Sequence, residues 1–254
     1  MTAKSKLSRA VILQSLRQAL EPKKHILAMW EGGAAAFDRV DRWSDIDLMV
    51  AAKDGQSARA AAEIEDVLKK LSPLSARLSA SHPNWPDMIH TFYKLAQADE
   101  FLLVDVGVMP QSSKDKLLET EIHGKALVHF DKAGVCVPPR LDRKKFLAGM
   151  KERKARLINM FELFSNYVAK ELNRKNYIEA QYNYFMTLNM LVEALRMKHG
   201  PFHYDFRGRY LHYELPPREA AKLQTLFYTK DPADLRRKDA RARRWFNETI
   251  KAVK

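Results

Sequence analysis

Cysteine is almost absent from this sequence, because Cys136 is the only one among 254 residues. A lone cysteine excludes an internal disulfide framework and any cysteine cluster that could hold zinc or an iron–sulfur centre. Long apolar runs are absent too, since no stretch approaches the length of about 18 residues that a membrane-spanning helix needs. Residues 1–20 are charged and then amphipathic, unlike a signal peptide. We therefore expect a soluble protein of the cytoplasm with no membrane partner.

Positive charge is present in excess, and it is unevenly distributed. The net charge is +13. Residues 1–140 hold 19 Lys and Arg against 18 Asp and Glu, whereas residues 141–254 hold 25 against 13. The two halves therefore carry charges of +1 and +12. This asymmetry suggests that the second half faces an anionic partner, such as a nucleoside triphosphate or a nucleic acid, although a solvated helical surface would show the same composition.

Residues 1–138 show the pattern of an α/β (α+β) domain with a small mixed sheet. Helices are predicted over about residues 5–20 and over 55–71, the second with Ser57 as its N-cap. Short apolar or alternating runs predict strands. These strands cover residues 25–30, 45–50, 74–80, 88–95, 101–109 and 126–130.

Residues 139–254 show helical periodicity and no alternating strand pattern, which predicts an all-α helical bundle as a second domain. Long helices are predicted over residues 143–174 and 176–200, and Gly200 and Pro201 end the second of these. Two further helices, over 216–228 and 231–253, carry proline at the start, where the missing N–H costs nothing.

Two aspartates, Asp45 and Asp47, interrupt an apolar run just after a pair of glycines. In an extended segment both carboxylates project to one face of the strand, because side chains alternate with a period of two. Like charges that close resist burial unless something cationic lies between them, and a metal ion is the simplest candidate. Asp105 lies alone within the apolar run 101–109 and also needs a partner. Carboxylates are ligands that Mg²⁺ prefers.

Gly32 and Gly33, eleven further residues, Asp45-Ile46-Asp47 and a lone aspartate on a later strand together resemble the DNA polymerase beta type nucleotidyltransferase superfamily. The resemblance implies an enzyme that transfers a nucleoside monophosphate, with AMP from ATP as the first expectation, to a hydroxyl group of a small-molecule acceptor and releases pyrophosphate. It also implies two Mg²⁺ ions, with ATP or another nucleoside triphosphate as co-substrate.

Carried over residue by residue, the resemblance assigns a catalytic and metal-binding role to Asp45, Asp47 and Asp105. It assigns nucleotide binding to Gly32, Gly33 and Ser44, because a glycine turn lets backbone amides approach phosphate and a serine often precedes the aspartate pair in the smaller bacterial members. Gly33 departs from the family pattern, since many members have serine at that position. A hydroxyl contact to phosphate would then be missing.

A minimal catalytic domain followed by a helical domain is similar in architecture to the aminoglycoside and lincosamide nucleotidyltransferases of bacteria, which confer antibiotic resistance. This likeness implies an antibiotic as one kind of acceptor, and it places Glu179 and Tyr182 as acceptor-binding residues. Arg207 and Arg209 are candidates for triphosphate binding, because guanidinium forks match phosphate oxygens. A salt bridge between helices would use the same arginines.

Several alternatives stay open at this point. An antitoxin-like or RNA-associated binding module could retain the nucleotidyltransferase fold and act through its basic helical half, although nucleic acid is the less favoured partner. Arg207 and His212 also show the R-x4-H spacing of HEPN ribonucleases, a short pattern that recurs by chance. The sequence leaves open the acceptor, the preferred triphosphate and the oligomeric state, a homodimer included.

Overall fold

The structure is a computed structural model that describes residues 7–82 and 85–253. The chain divides into two compact units, Met1–Leu141 and Asp142–Lys254. The first unit is a mixed α/β fold and the second is helical, so the predicted fold class is confirmed. Among the described residues, no helix combines the length and apolar character that crossing a bilayer requires.

The first unit builds a sheet from strands that are mostly buried, with helices in the connections. Its elements are α1 (Arg9–Leu20), β1 (Ile26–Glu31), α2 (Gly33–Ala36), β2 (Ile46–Ala52), α3 (Ser57–Leu71), β3 (Leu74–His82), β4 (Trp85–Leu95), β5 (Val104–Pro110), α4 (Thr120–His123) and β6 (Leu127–Asp131).

The sheet of the described residues has six strands in the order β3-β4-β5-β2-β1-β6. Strands β2 and β5 pair in parallel, and every other neighbouring pair is antiparallel. Helices α1 and α3 cover one face of the sheet, where Ile46, Leu48 and Val50 of β2 are fully buried. The alternate residues of β2, Asp47 among them, therefore point to the opposite face.

Two predicted boundaries in the first unit are wrong. Gln56, not Ser57, is the N-cap of α3, and Ser57 is its first helical residue. The apolar run 101–109 enters β5 only at Val104, because a turn closed by the Leu102 N–H and the Asp99 carbonyl precedes the strand. Composition alone does not show where backbone hydrogen bonding begins.

The second unit packs helices around one long central helix. Its elements are α5 (Arg143–Phe164), α6 (Tyr167–Asn173), α7 (Tyr177–His199), a 3-10 turn (Pro201–His203), α8 (Leu211–Glu214), α9 (Pro217–Phe227) and α10 (Pro232–Ala252). The single helix predicted over 143–174 is wrong, because the helix is interrupted at Ser165 and Asn166. Serine and asparagine side chains can compete for backbone hydrogen bonds, which disfavours these residues in a helix interior.

The core of this unit forms where α7 is buried on several sides. Tyr184, Leu191 and Leu195 of α7 are fully buried, and the Tyr184 hydroxyl donates to the Leu226 carbonyl at 2.9 Å. The rings of Phe161 and Phe246 stack with their centroids 3.8 Å apart, which joins α5 to α10. Apolar burial of this extent is the main stabilising term of the bundle.

Asp239 of α10 is a buried acidic residue in this core, which is unfavourable when its carboxyl group is ionised. It is only 5% exposed, and within the described part of the chain its Oδ1 has no hydrogen-bond partner. Burial raises the pKa of Asp239 to about 6 from the ordinary 3.8. The folded state therefore retains a proton that the unfolded chain has already released between these two values. Stability is highest below the unfolded pKa and falls as pH rises through about 6.

We expect Asp239→Asn to raise the free energy of unfolding by roughly 2 kcal/mol at about pH 8, and by much less at about pH 4. Urea unfolding at both pH values measures this difference. Glu248→Gln, at an exposed position of the same helix, is the matched control and should change little at either pH. If Asp239→Asn lost the same amount of stability at both pH values, the Asp239 carboxylate would not be a destabilising buried charge.

Candidate functional site

The parallel pairing of β2 with β5 brings together the three aspartates that the sequence singled out. Asp47 and Asp105 are direct register partners. Paired residues of adjacent strands project to the same face, so these two carboxylates are neighbours on the face that α1 and α3 leave uncovered. Asp45 lies two residues before Asp47, immediately before β2 begins.

The glycine pair lies against one of these aspartates. The Gly32 N–H donates to the Asp47 carbonyl at 2.9 Å, which closes the turn between β1 and β2. Gly33 has a φ of +52°, and a Cβ there would lie 1.7 Å from Asp47 Oδ2. A Cβ at Gly32 would meet nothing within 4 Å. Only Gly33 is therefore required as glycine, because both its backbone conformation and the Asp47 carboxylate exclude a side chain.

Asp45 and Ser44 both take part in local hydrogen bonds. Asp45 Oδ1 accepts from the Leu103 N–H at 3.1 Å and so connects the start of β2 to the residue before β5. The Ser44 hydroxyl donates to Asp41 Oδ1 at 2.9 Å and accepts from the Asp41 N–H at 2.8 Å. These bonds fix the turn that leads into β2. The nucleotide-binding role of Ser44 stays a prediction.

His90 of β4 lies beside Asp105, and the sequence analysis did not single it out. His90 Nε2 and Asp105 Oδ1 are 2.6 Å apart, and both side chains are largely buried. Burial raises the pKa of Asp105 above its usual value; the interaction with His90 opposes this shift, and the nearby charge of Asp45 adds to it. Only the strand register indicates this contact: Phe92 pairs with Asp105, and His90, two residues earlier, lies on the same face of β4.

A buried ionic network lies at the end of β1 and was also missed from the sequence. Glu31 is fully buried and accepts hydrogen bonds from Arg9 Nη2 and from His129, whose Nε2 lies 2.8 Å away. Arg9 Nε also donates to the Asp45 carbonyl at 3.4 Å. A buried carboxylate needs such partners, since an unpaired charge there would be strongly destabilising. Arg9 thereby connects the two ends of the glycine turn.

Within residues 7–82 and 85–253, no cluster of three or more His, Cys, Asp or Glu side chains has the arrangement of a complete metal site. Mg²⁺ does not require one, because it is commonly bound through one or two carboxylates together with substrate phosphates and water. The neighbouring carboxylates of Asp47 and Asp105 supply hard oxygen donors of this kind. The residues present therefore suit a Mg²⁺ ion whose remaining ligands come from substrate phosphates and water.

The helical unit contains a cavity of about 750 Å³, which lies within the usual range of small-molecule sites. Apolar side chains such as Phe164, Phe185 and Met186 form part of its wall. Arg153 and Glu193 also line it and form a forked ion pair, with Nη2 of the arginine 2.7 Å from Oε2 of the glutamate.

Arg207 lines this cavity, and the structure shows how its segment is fixed. The buried Arg196 donates through Nε to the Arg207 carbonyl at 2.7 Å and through Nη2 to the Arg209 carbonyl, and it also pairs with Glu214. The Arg209 guanidinium lies 5.5 Å from the ring centroids of both neighbouring aromatic residues, Phe206 and Tyr210. Backbone position here depends on Arg196, so the side chains of Arg207 and Arg209 are not needed to hold the segment.

The other candidates in the helical half lie outside the lining of this cavity. Glu179 is in the first turn of α7, where its backbone N–H and carboxylate both bond the N-cap residue Asn176. Tyr182 is 76% exposed. His212 contacts the ring of Tyr213, at a centroid distance of 4.0 Å. The acceptor-binding roles of Glu179 and Tyr182 stay predictions.

Comparisons with known proteins add one likeness. No protein-family model matches this chain. No curated protein matches it either. Among solved structures, an aminoglycoside 6-adenyltransferase from Bacillus subtilis is similar over 97% of this chain and 90% of that one, at 12% identity and a TM-score of 0.35. At this TM-score the likeness gives no information about the substrate or the reaction.

The close contact between Gly33 and Asp47 predicts different outcomes at the two glycines. Gly33→Ala should lower the free energy of unfolding by about 1–3 kcal/mol, because it strains the backbone and displaces the Asp47 carboxylate. Gly32→Ala is the matched control and should change stability by less than about 1 kcal/mol, since space is open around it. Urea unfolding of both variants tests this, and equal losses would contradict the contact.

Proposed function

We propose that this protein is a Mg²⁺-dependent nucleotidyltransferase that transfers AMP from ATP to a hydroxyl group of a small-molecule acceptor. The observation that carries the proposal is the β2–β5 register, which makes Asp47 and Asp105 neighbours beside the Gly32–Gly33 turn. Two carboxylates next to a glycine turn form a favourable environment for a triphosphate with its metal ions.

Each residue of this group has a distinct role in the proposed reaction. The Gly32–Gly33 turn lets the triphosphate approach the backbone closely. Asp105 accepts the proton of the acceptor hydroxyl, a role that its raised pKa favours. The acceptor oxygen then forms a bond to the α-phosphorus, and the bond from this phosphorus to the oxygen that bridges to the β-phosphate breaks. Pyrophosphate leaves with the electron pair of that bond.

Asp45, Asp47 and Asp105 are the residues that would hold Mg²⁺, which when bound neutralises phosphate charge and polarises the reacting phosphoryl group. Hydrogen bonding prepares these ligands. The Leu103 N–H orients Asp45, and His90 orients Asp105. Gly33 leaves space for the Asp47 carboxylate. Preorganised ligands need less rearrangement when substrate binds.

We propose that the cavity of the helical unit binds a small molecule. Its size suits a small molecule, and its apolar wall contains a few polar groups that can orient a ligand. Its charged lining residues, Arg153, Glu193, Asp205 and Arg207, balance one another in charge. A polycation such as an aminoglycoside would favour an acidic site, so the charge balance supports a neutral or zwitterionic ligand with apolar parts.

A second candidate function is an RNA-associated or antitoxin-like binding module that uses the basic helical half. The observation in its favour is the charge of +12 in residues 141–254, together with exposed Arg241 and Arg244 on one side of α10. RNA affinity that falls steeply with salt, together with no nucleotidyl transfer to any acceptor, would favour this alternative, because released counterions set that slope.

Substitution of the carboxylates tests the enzymatic proposal. We expect Asp45→Asn, Asp47→Asn and Asp105→Asn each to lower pyrophosphate release at least about a hundredfold, because each removes a metal ligand or the proton acceptor. The measurement uses Mg²⁺, labelled ATP and a panel of neutral hydroxyl compounds. Asp66→Asn, at an exposed position of α3, is the control and should keep full activity. Unchanged turnover in all three site variants would refute the proposal.

The two arginines of the helical half give a separate prediction. Arg207→Ala combined with Arg209→Ala should weaken ATP binding about tenfold, because guanidinium groups form charge-assisted hydrogen bonds with phosphate oxygens. The fold should persist, since Arg196 holds the backbone of this segment. Arg218→Ala with Arg244→Ala removes the same charge from exposed positions and serves as control. If ATP affinity is unchanged while the KM for the acceptor rises, the arginines bind acceptor instead of triphosphate.

A further inference from the structure

A second cavity lies in the first unit, at the end of the sheet away from the aspartates. It has a volume of about 550 Å³ and is formed where α1 leads into β1 and where β2 leads into α3. Cationic side chains dominate its lining, namely Lys23, Lys24, Lys53 and Arg59, together with His25. Residues 1–140 have a net charge of only +1, so this is a local concentration of positive charge in a nearly neutral part of the chain.

Acidic groups near the cavity compensate only part of this charge. Asp54 also lines it, and Asp54 Oδ1 accepts from the Ser112 N–H at 2.9 Å. Glu63 lies 3.3 Å from Lys23 Nζ and from Arg59 Nε. Four permanent cations against two carboxylates leave an excess of about +2. Across the described residues, Lys24 and Lys53 form no ion pair.

Hydrogen bonds fix the backbone that carries the unpaired cations. Lys132 Nζ donates to the carbonyls of Glu21 and Lys23, at 2.7 and 2.8 Å. The Lys53 N–H donates to the His25 carbonyl at 2.8 Å. Glu63 also contacts His25 Nε2 at 2.9 Å. The two segments that bear Lys24 and Lys53 are therefore held next to each other before any ligand arrives, which lowers the entropic cost of binding.

We propose that this cavity is a binding site for ligands that carry two or more adjacent phosphate groups, separate from the carboxylate site. Two lysines without ion pairs, joined by Lys23 and Arg59, can each contact a different phosphate, and charge-assisted hydrogen bonds of this kind are among the stronger ones. A site lined mainly by cationic side chains favours an anionic ligand. The site does not depend on the proposed nucleotidyl transfer.

The length of the strands separates this site from the aspartates. Ile26 pairs with Ala52 at the end near the cavity, and Glu31 pairs with Leu48 at the end near the glycine turn. The five residue steps of β1 between these pairs span about 17 Å. A triphosphate bound at Gly32 and Gly33 does not reach the lysines, so any polyphosphate bound at the lysines is a second ligand.

Calorimetric titration of the full-length protein with inorganic tripolyphosphate, in EDTA so that metal-dependent binding is absent, tests the site. We expect saturable binding that Lys24→Ala combined with Lys53→Ala weakens by a factor of about ten to a hundred. Lys70→Ala with Lys94→Ala removes the same charge from exposed positions elsewhere in the first unit and should weaken binding by about twofold or less. All four lysines are exposed, so urea unfolding should show intact folds.

Further arms identify the source of the phosphates and keep the two proposals apart. If ATP binds in EDTA as tightly as tripolyphosphate, the site recognises the phosphates alone. If ATP binds more tightly, the ligand is a nucleotide. Asp45→Asn with Asp47→Asn should retain tripolyphosphate binding, whereas Lys24→Ala with Lys53→Ala should retain nucleotidyl transfer. Loss of tripolyphosphate binding only in the aspartate variant would overturn the site, as would equal weakening in both lysine pairs. RNA binding that depends on Lys24 and Lys53 and that tripolyphosphate does not displace would also overturn it.

Discussion

The parallel register of β2 and β5 makes Asp47 and Asp105 neighbours on one face of the sheet, and the candidate site depends on this register. Asp47 and Asp105 cannot separate without a change in register, which would turn every buried residue of β2 to the wrong face. The same sheet places His90 next to Asp105. Carboxylates on neighbouring strands can share a bound cation, which is why their arrangement is informative about function.

Each unit uses an arginine to hold a segment that bears candidate functional residues. In the first unit, Arg9 joins Glu31 to the Asp45 carbonyl across the base of the glycine turn. In the second, Arg196 joins Glu214 to two carbonyls of the segment with Arg207 and Arg209. In both cases the guanidinium bonds to backbone as well as to a carboxylate, so its several donors connect chain segments that share no regular hydrogen bonding. Removing either arginine would leave a largely buried carboxylate without its guanidinium partner but with a histidine still beside it, His129 for Glu31 and His203 for Glu214.

Local patterns predicted the parts of the structure that depend on local chemistry. The apolar runs that became β1 and β2 can be recognised from neighbouring residues alone, and so can the alternation that turns Asp47 away from Ile46 and Leu48. The break at Ser165 and Asn166 was missed because polar residues on a long helix also suit its exposed face. The histidine partners of the acidic residues could not be predicted from local patterns. His90 lies 15 residues from Asp105 in the chain, and His129 lies 98 from Glu31, so only the strand order brings them together.

The absence of a side chain at position 33 also constrains how this sequence can change. A serine, which many members of the resembled family have there, would place its Cβ on the Asp47 carboxylate and would adopt a backbone conformation that suits glycine. The mutational effects at positions 33 and 47 are therefore not independent, because a side chain at 33 requires the Asp47 carboxylate to turn away from its present position. The conformation of the glycine turn thus sets the orientation of a candidate metal ligand, and a substitution at 33 would change the site without replacing any of its three aspartates.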